Sequence, residues 1–298
     1  IALLLSSESH WDMSDRVFAP WGGEFDDLEG TLHALLELHY SVDILAEHQL
    51  EPRLKEFPLV VIPDSHKLTD EFKKALVSYV ERGGNLLLLG EKCARLFEPA
   101  IGVILISPPQ KIASELATPA GPVNVNGIWQ DVTLSSARPI GFRQLTRDNR
   151  KNPKIAATIT DRGKGKIGAV YGPLANIFFK SHHPYLRTFI GDLVKELFPK
   201  PAVSADGPAL IDMALRTTKS GRLCLHLLNR SNLPLPDRYN FTDFIPAVGP
   251  LTVKITIAKK PQKVRVVPEV PTLRWDWKFG MLSVIVPQVH VHSVIVVE

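Results

Sequence analysis

The sequence predicts an α/β domain built on a doubly wound, mostly parallel sheet, followed by a small antiparallel β-sandwich. Three observations predict it. The apolar runs 59–62 and 86–89 do not alternate with polar residues, which suits strands covered on both faces of a parallel sheet. A helical period lies between them, making a β-α-β crossover, which should be right-handed. Beyond residue 208 the helical period disappears and short apolar strands separated by turn residues take over.

Taken in order, residues 1–6 form the first strand. A loop rich in aromatics and acids follows, and Asp26 or Asp27 caps a helix with Leu28, Leu32, Leu35, Leu36 and His39 on its inner face. Residues 41–45 make the second strand and 58–62 the third. The next helix has Thr69 as N-cap, Asp70 and Glu71 in its positive first turn and Gly83 as its left-handed stop. Phe72, Leu76, Tyr79 and Val80 fall on one stripe that packs on the sheet. Residues 85–89 make the fourth strand. Prolines and short β-prone pieces alternate over 101–154, an irregular β segment. Residues 155–160 and 166–171 flank a Gly-containing turn and read as a hairpin. Pro184 opens a last helix, with Ser181 or His183 as its cap, that stops at Pro199. Residues 200–208 have linker composition, so the domains are expected at 1–199 and 200–298. Ligands in such sheets sit beyond the carboxyl ends of the strands, where the connections after Ser6, Ile62 and Leu89 meet.

The chain has 298 residues, 45% hydrophobic and 22% charged, with a net charge of +4. Its basic residues are scattered rather than gathered in a stripe, which argues against nucleic-acid binding. No apolar run reaches membrane-spanning length, so no membrane partner is expected. Residues 1–5 lack the basic region and cleavage site of a signal peptide. The chain starts without Met and directly in a strand, which suggests a piece of a longer protein. Its two cysteines, Cys93 and Cys224, make neither a zinc spacing nor a disulfide framework. His290 and His292 alternate and share one strand face, while Ser181 to Pro184 reads as a helix cap. Neither has a third ligand, so no metal and no cofactor is expected.

The candidate contact residues lie after the first strand: Glu8, His10, Trp11, Asp12, Trp21, Glu24 and Phe25. Flat rings and hydrogen-bonding acids suit a sugar, but Trp and Phe are equally enriched in interfaces with another domain or subunit, and that reading carries more weight. In class I glutamine amidotransferase-like folds a nucleophilic Cys sits on the tight turn after this fourth strand, second after a Gly. Here Gly90-Glu91-Lys92-Cys93 brings the thiol one residue late, with no Gly after it and no His-x-Glu partner near the end of the domain. Cys93 therefore reads as a small packing residue. Trp275 and Trp277 read as a strand pair with one ring packed.

Several stretches together resemble the region that follows the catalytic barrel in family 42 β-galactosidases, whose α/β part is called the trimerisation domain. They are Leu35-Leu-Glu-Leu-His-Tyr-Ser-Val-Asp-Ile44, Pro58-Leu-Val-Val-Ile-Pro63, Tyr79-Val-Glu-Arg-Gly-Gly-Asn-Leu-Leu-Leu88 and Gly163-Lys-Gly-Lys-Ile-Gly-Ala-Val-Tyr-Gly172. Gly221-Arg-Leu-Cys-Leu-His-Leu-Leu-Asn229 and Val289-His-Val-His-Ser-Val-Ile-Val-Val297 continue the likeness in the sandwich. The resemblance implies an amidotransferase-like, flavodoxin-like sheet. It also implies a non-catalytic accessory role in a glycoside hydrolase, with a catalytic barrel or a sister subunit as partner and carbohydrate as a further candidate. Rival readings are a free-standing hydrolase using Glu8, His10, Asp12 and Glu24, or a carbohydrate-binding module using Trp21 or Trp277.

Overall fold

The computed structural model describes residues 1–13, 25–145, 152–231, 244–270 and 272–298. They form two compact units, one of Ile1–Ala34 and Asp43–Pro199, the other of Leu35–Val42 and Lys200–Glu298.

The first unit opens with β1 (Ala2–Leu4), α1 (Ser7–Met13), α2 (Asp26–Glu37), β2 (Asp43–Leu45) and a short α3 (Glu47–Leu50) that runs into a 3-10 turn. It continues through β3 (Leu59–Pro63), α4 (Asp70–Glu81), β4 (Asn85–Leu89) and α5 (Glu91–Leu96). Strands β5 (Val103–Ile112), β6 (Glu115–Thr118), β7 (Gly121–Asn124), β8 (Gly127–Leu134) and β9 (Arg138–Gln144) follow. The unit closes with β10 (Lys154–Arg162), β11 (Gly165–Val170), α6 (Leu174–Ser181) and α7 (Pro184–Leu197).

Nine strands make one sheet in the order β2-β1-β3-β4-β11-β10-β9-β6-β7. The first five are mutually parallel, and from β10 onward the pairings are antiparallel. Every residue of β3 is buried, as are Leu86 to Leu89 of β4, so both faces of the parallel part are covered. The helix caps follow the local chemistry. Thr69 accepts a hydrogen bond from the Phe72 N–H, Gly83 takes φ +113 past the end of α4, and His183 Nδ1 accepts from the Tyr185 N–H at the start of α7. The apolar stripes of α4 and α7 are buried as their spacing predicts.

Three expectations for the first unit change. The connection after β1 begins as a helix rather than a loop, because Ser6 caps it through the Ser9 N–H at 3.1 Å. Asp26 and Asp27 are the first two residues of α2 rather than its cap. The described residues of the 101–154 segment are regular: β9, β6 and β7 extend the sheet, while β5 pairs with β8 in a separate two-stranded sheet.

The second unit is a sandwich of two four-stranded antiparallel sheets. One has the order β12 (Val203–Asp206), β15 (Leu251–Thr256), β18 (Met281–Val286), β17 (Arg274–Lys278). The other runs β13 (Ile211–Thr217), β14 (Leu223–Asn229), β19 (His292–Val297), β16 (Val264–Val267). Ile211, Leu225, Val253, Val284 and Ile295 are among the buried residues between them. The ring nitrogens of His39, in the segment preceding β2, lie 3.3 and 3.0 Å from the carbonyls of Ala205 and Pro208. Trp275 and Trp277 both pack on this core, because two residues apart on a strand means the same face. His290 precedes β19 instead of sharing a strand face with His292, whose Nε2 lies 3.1 Å from His226 Nδ1.

Candidate functional site

The parallel strand order reverses direction between β1 and β3, and a cleft of about 130 Å³ opens beyond their carboxyl ends. Ligands of open α/β sheets bind at such a reversal. The cleft is walled by the connections after β1, β3 and β4, as the strand pattern predicts.

One wall is α1. Its Ser9 hydroxyl donates to the Lys67 carbonyl at 2.8 Å and accepts from the Lys67 N–H at 3.0 Å, which ties the helix to the connection after β3. His10 lies in this wall, its ring stacked on that of Phe25 with centroids 5.2 Å apart and planes 26° from parallel. Met13 and Leu28 add apolar surface.

The opposite wall is polar: Asp27 from the first turn of α2, Asp64 and Ser65 after β3, and Lys92 in α5. Asp64 is nearly buried. Its Oδ1 accepts from the backbone N–H groups of Lys92 (2.9 Å) and Cys93 (3.3 Å), and Lys92 Nζ lies 3.7 Å from Oδ2. Burial pushes the Asp64 carboxyl up, and Lys92 with the two N–H groups pulls it part of the way back. Asp27 is pushed up to about 7, first by burial and then by the charge of Asp64, against the opposing pull of Lys92. Near neutral pH Asp27 therefore keeps a share of the proton that an ordinary aspartate would have released.

Gly90 shapes the corner. It has φ +144, and a Cβ there would stand 2.2 Å from Asp64 Oδ1, so the carboxylate reaches the start of α5 only because this residue has no side chain. Cys93 is fully buried below it. Its thiol donates to the Gly90 carbonyl at 3.3 Å, and burial, with the neighbouring Asp64 and Asp27, pushes it well above the ordinary thiol range. A thiol in that setting stays protonated and is no nucleophile.

Of the sequence-selected residues, His10 and Phe25 line the cleft. Glu8, Trp11 and Asp12 share α1 but turn elsewhere. Trp11 is 69% exposed, and Asp12 accepts from Lys67 Nζ at 2.7 Å and pairs with His66 Nε2 at 2.8 Å. Those two partners, Lys67 first, hold its carboxyl below the usual carboxylate range. Trp21 and Glu24 lie outside the described residues. Asp27, Asp64 and Lys92 were missed as site residues. Their signal is topological, since each follows or adjoins an element whose end meets the cleft. Among the described residues no group of three or more His, Cys, Asp or Glu side chains is arranged to hold a metal ion.

Residues 1–90 match the family model described as the beta-galactosidase trimerisation domain. No curated protein matches the chain. The whole chain superposes on part of an alpha-L-fucosidase isoenzyme 2 from Paenibacillus thiaminolyticus, with TM-score 0.78, 16% identity and coverage of 48% of that chain. It superposes equally completely on a catalytic mutant of Gan42B, a GH42 beta-galactosidase from G. stearothermophilus, with TM-score 0.64, 15% identity and 40% of that chain covered. A beta-galactosidase from the Antarctic haloarchaeon Halorubrum lacusprofundi gives TM-score 0.56 at 16% identity, again over all of this chain and 39% of the other. At these identities the likeness is one of fold, and the chain spans less than half the length of each protein.

Proposed function

We propose that this chain is the non-catalytic accessory region of a β-galactosidase-like glycoside hydrolase, serving assembly rather than bond cleavage. The observation that carries the reading is the match of residues 1–90 to the trimerisation-domain model. The closed corner at Gly90 supports it. The parallel order β2-β1-β3-β4-β11 supports our reading of the unit as flavodoxin-like and amidotransferase-like, with its nucleophile position retired. Where a nucleophile would stand on the turn after β4, the side chain of Asp64 fills the space and takes the free N–H groups of α5. The thiol nearest that point is buried and protonated.

The contact surface in this reading is α1, where Trp11 is an exposed aromatic. An exposed Trp next to a helix start anchored from two sides is a ready-made hot spot, since such rings gain most when a partner desolvates them. The partner is a catalytic barrel of the same enzyme or a second copy of the chain. Size-exclusion chromatography with light scattering, together with a panel of nitrophenyl glycosides, tests the proposal. The expected result is self-association without turnover, and Trp11→Ala should shift the population towards monomer. A strictly monomeric species that cleaves a glycoside overturns it.

A further inference from the structure

We propose that the cleft beyond β1, β3 and β4 binds one neutral, polyhydroxylated ring of monosaccharide size. The inference rests on the accessory reading in one respect only, that the occupant is held and released unchanged.

Size comes first. A volume of about 130 Å³ admits a single small ring and falls well short of the roughly 300–1,000 Å³ that larger ligands occupy. Shape agrees: the stacked His10 and Phe25 rings offer a flat apolar wall, the surface that the C–H face of a sugar ring packs against.

Charge then selects neutrality. Asp64 is already compensated by Lys92 and two backbone N–H groups, so it has little left for a cation. Lys92 also repels an ammonium group, while the Asp64 carboxylate disfavours an anion beside it. Asp27 titrates near neutrality and so offers both an O–H donor and an acceptor oxygen. A hydroxyl is both donor and acceptor itself and is the complementary group. The described lining residues all belong to one compact unit.

The test uses the whole chain and saturation-transfer NMR with D-galactose, L-fucose, D-glucose and glycerol, and with methylammonium and acetate as charged controls. A ligand of about a dozen heavy atoms should bind in the millimolar range. The expected result is saturable binding of at least one sugar, weakened about three- to tenfold by Phe25→Ala, which removes the flat wall. Asp27→Leu should abolish it, whereas Asp27→Asn, which keeps a donor and an acceptor, should retain it. Far-UV circular dichroism and melting curves establish that each variant folds. Phe279→Ala, in the other unit, should leave binding unchanged. The proposal is overturned if no sugar saturates, if only methylammonium or acetate binds, or if binding survives both Phe25→Ala and Asp27→Leu. Glycoside turnover would end the accessory reading and leave the site standing. Absence of sugar binding by an assembled, inactive protein would remove the site alone.

Discussion

Replacing Asp27 by Asn should make the protein more stable at alkaline pH, by an amount that vanishes in acid. Asp27 is pushed from 3.8 up to about 7 in the folded state. Between those two values the native state binds more protons than the unfolded chain, so this residue's contribution to stability falls as pH rises through the window. At about 1.36 kcal/mol per pH unit, the full rise corresponds to about 4 kcal/mol. Relaxation and water in the open cleft reduce it, and about 2–4 kcal/mol is the expected gap at pH 8. The groups that set it are Asp64, Lys92, Asp26 and a backbone N–H of Asn176, and only the carboxyl itself is lost in the variant. Asn keeps the shape and cannot ionise. For a unit of this size, 1 kcal/mol moves the melting temperature by about 2–4 °C, so a rise of about 5–10 °C at pH 8 is readable by circular dichroism. The two proteins should converge near pH 4. A variant less stable at pH 8, or one whose advantage is the same in acid and alkali, would refute the reasoning.

Three further outcomes follow from buried and strained positions. Arg143 has no side-chain exposure, lies over the Trp129 ring at 4.9 Å and bonds Asp131 through Nη2, while its Nε and Nη1 have no hydrogen-bond partner among the described residues. Asp131→Ala strands that cation and should cost about 3–5 kcal/mol, whereas Arg143→Met should cost much less, as urea unfolding would reveal. Phe279 stands fully exposed at the β17–β18 turn with φ 50, a conformation that Asn adopts more readily, so Phe279→Asn should stabilise the protein by about 1 kcal/mol in the same assay. In thiol titration of the native protein at pH 8, Cys224 should react and Cys93 should not until the chain is unfolded.

What could be read from the sequence was whatever a local signal encodes. Thr69, Gly83 and the stripe of Phe72, Leu76, Tyr79 and Val80 lie within fifteen residues of one another, and each obeys a short-range rule. The pairing of β9 with β6 has no such signature. It joins segments separated by β7 and β8, and nothing near Arg143 in the chain announces that Leu116 will be its neighbour. Helix α1 was hidden for a different reason. It is seven residues long, too short to display a period, and its Ser6 cap is a single residue. The site divides the same way. His10 and Phe25 stand out by residue type, whereas Asp27, Asp64 and Lys92 look like ordinary turn and surface residues until three strand ends bring them together.

That convergence bears on why the corner after β4 is closed. The first N–H groups of a helix attract a negative charge, and a nucleophilic thiolate or a developing oxyanion is what such a turn otherwise holds. Here the Asp64 carboxyl takes that place, its Oδ1 at 2.9 and 3.3 Å from two of those N–H groups and its Oδ2 beside Lys92. Burial first, and the neighbouring Asp64 second, push up both the Asp27 carboxyl and the Cys93 thiol. Removing Asp64 alone would not open a catalytic turn. Cys93 Sγ points to the carbonyl of Gly90 inside the core, and among the described residues His10, its ring stacked against Phe25, is the histidine that lines the cleft. The corner after β4 is thus filled by a carboxyl group whose Oδ1 is already engaged by two N–H groups, and the proposed ring site borders that filled corner.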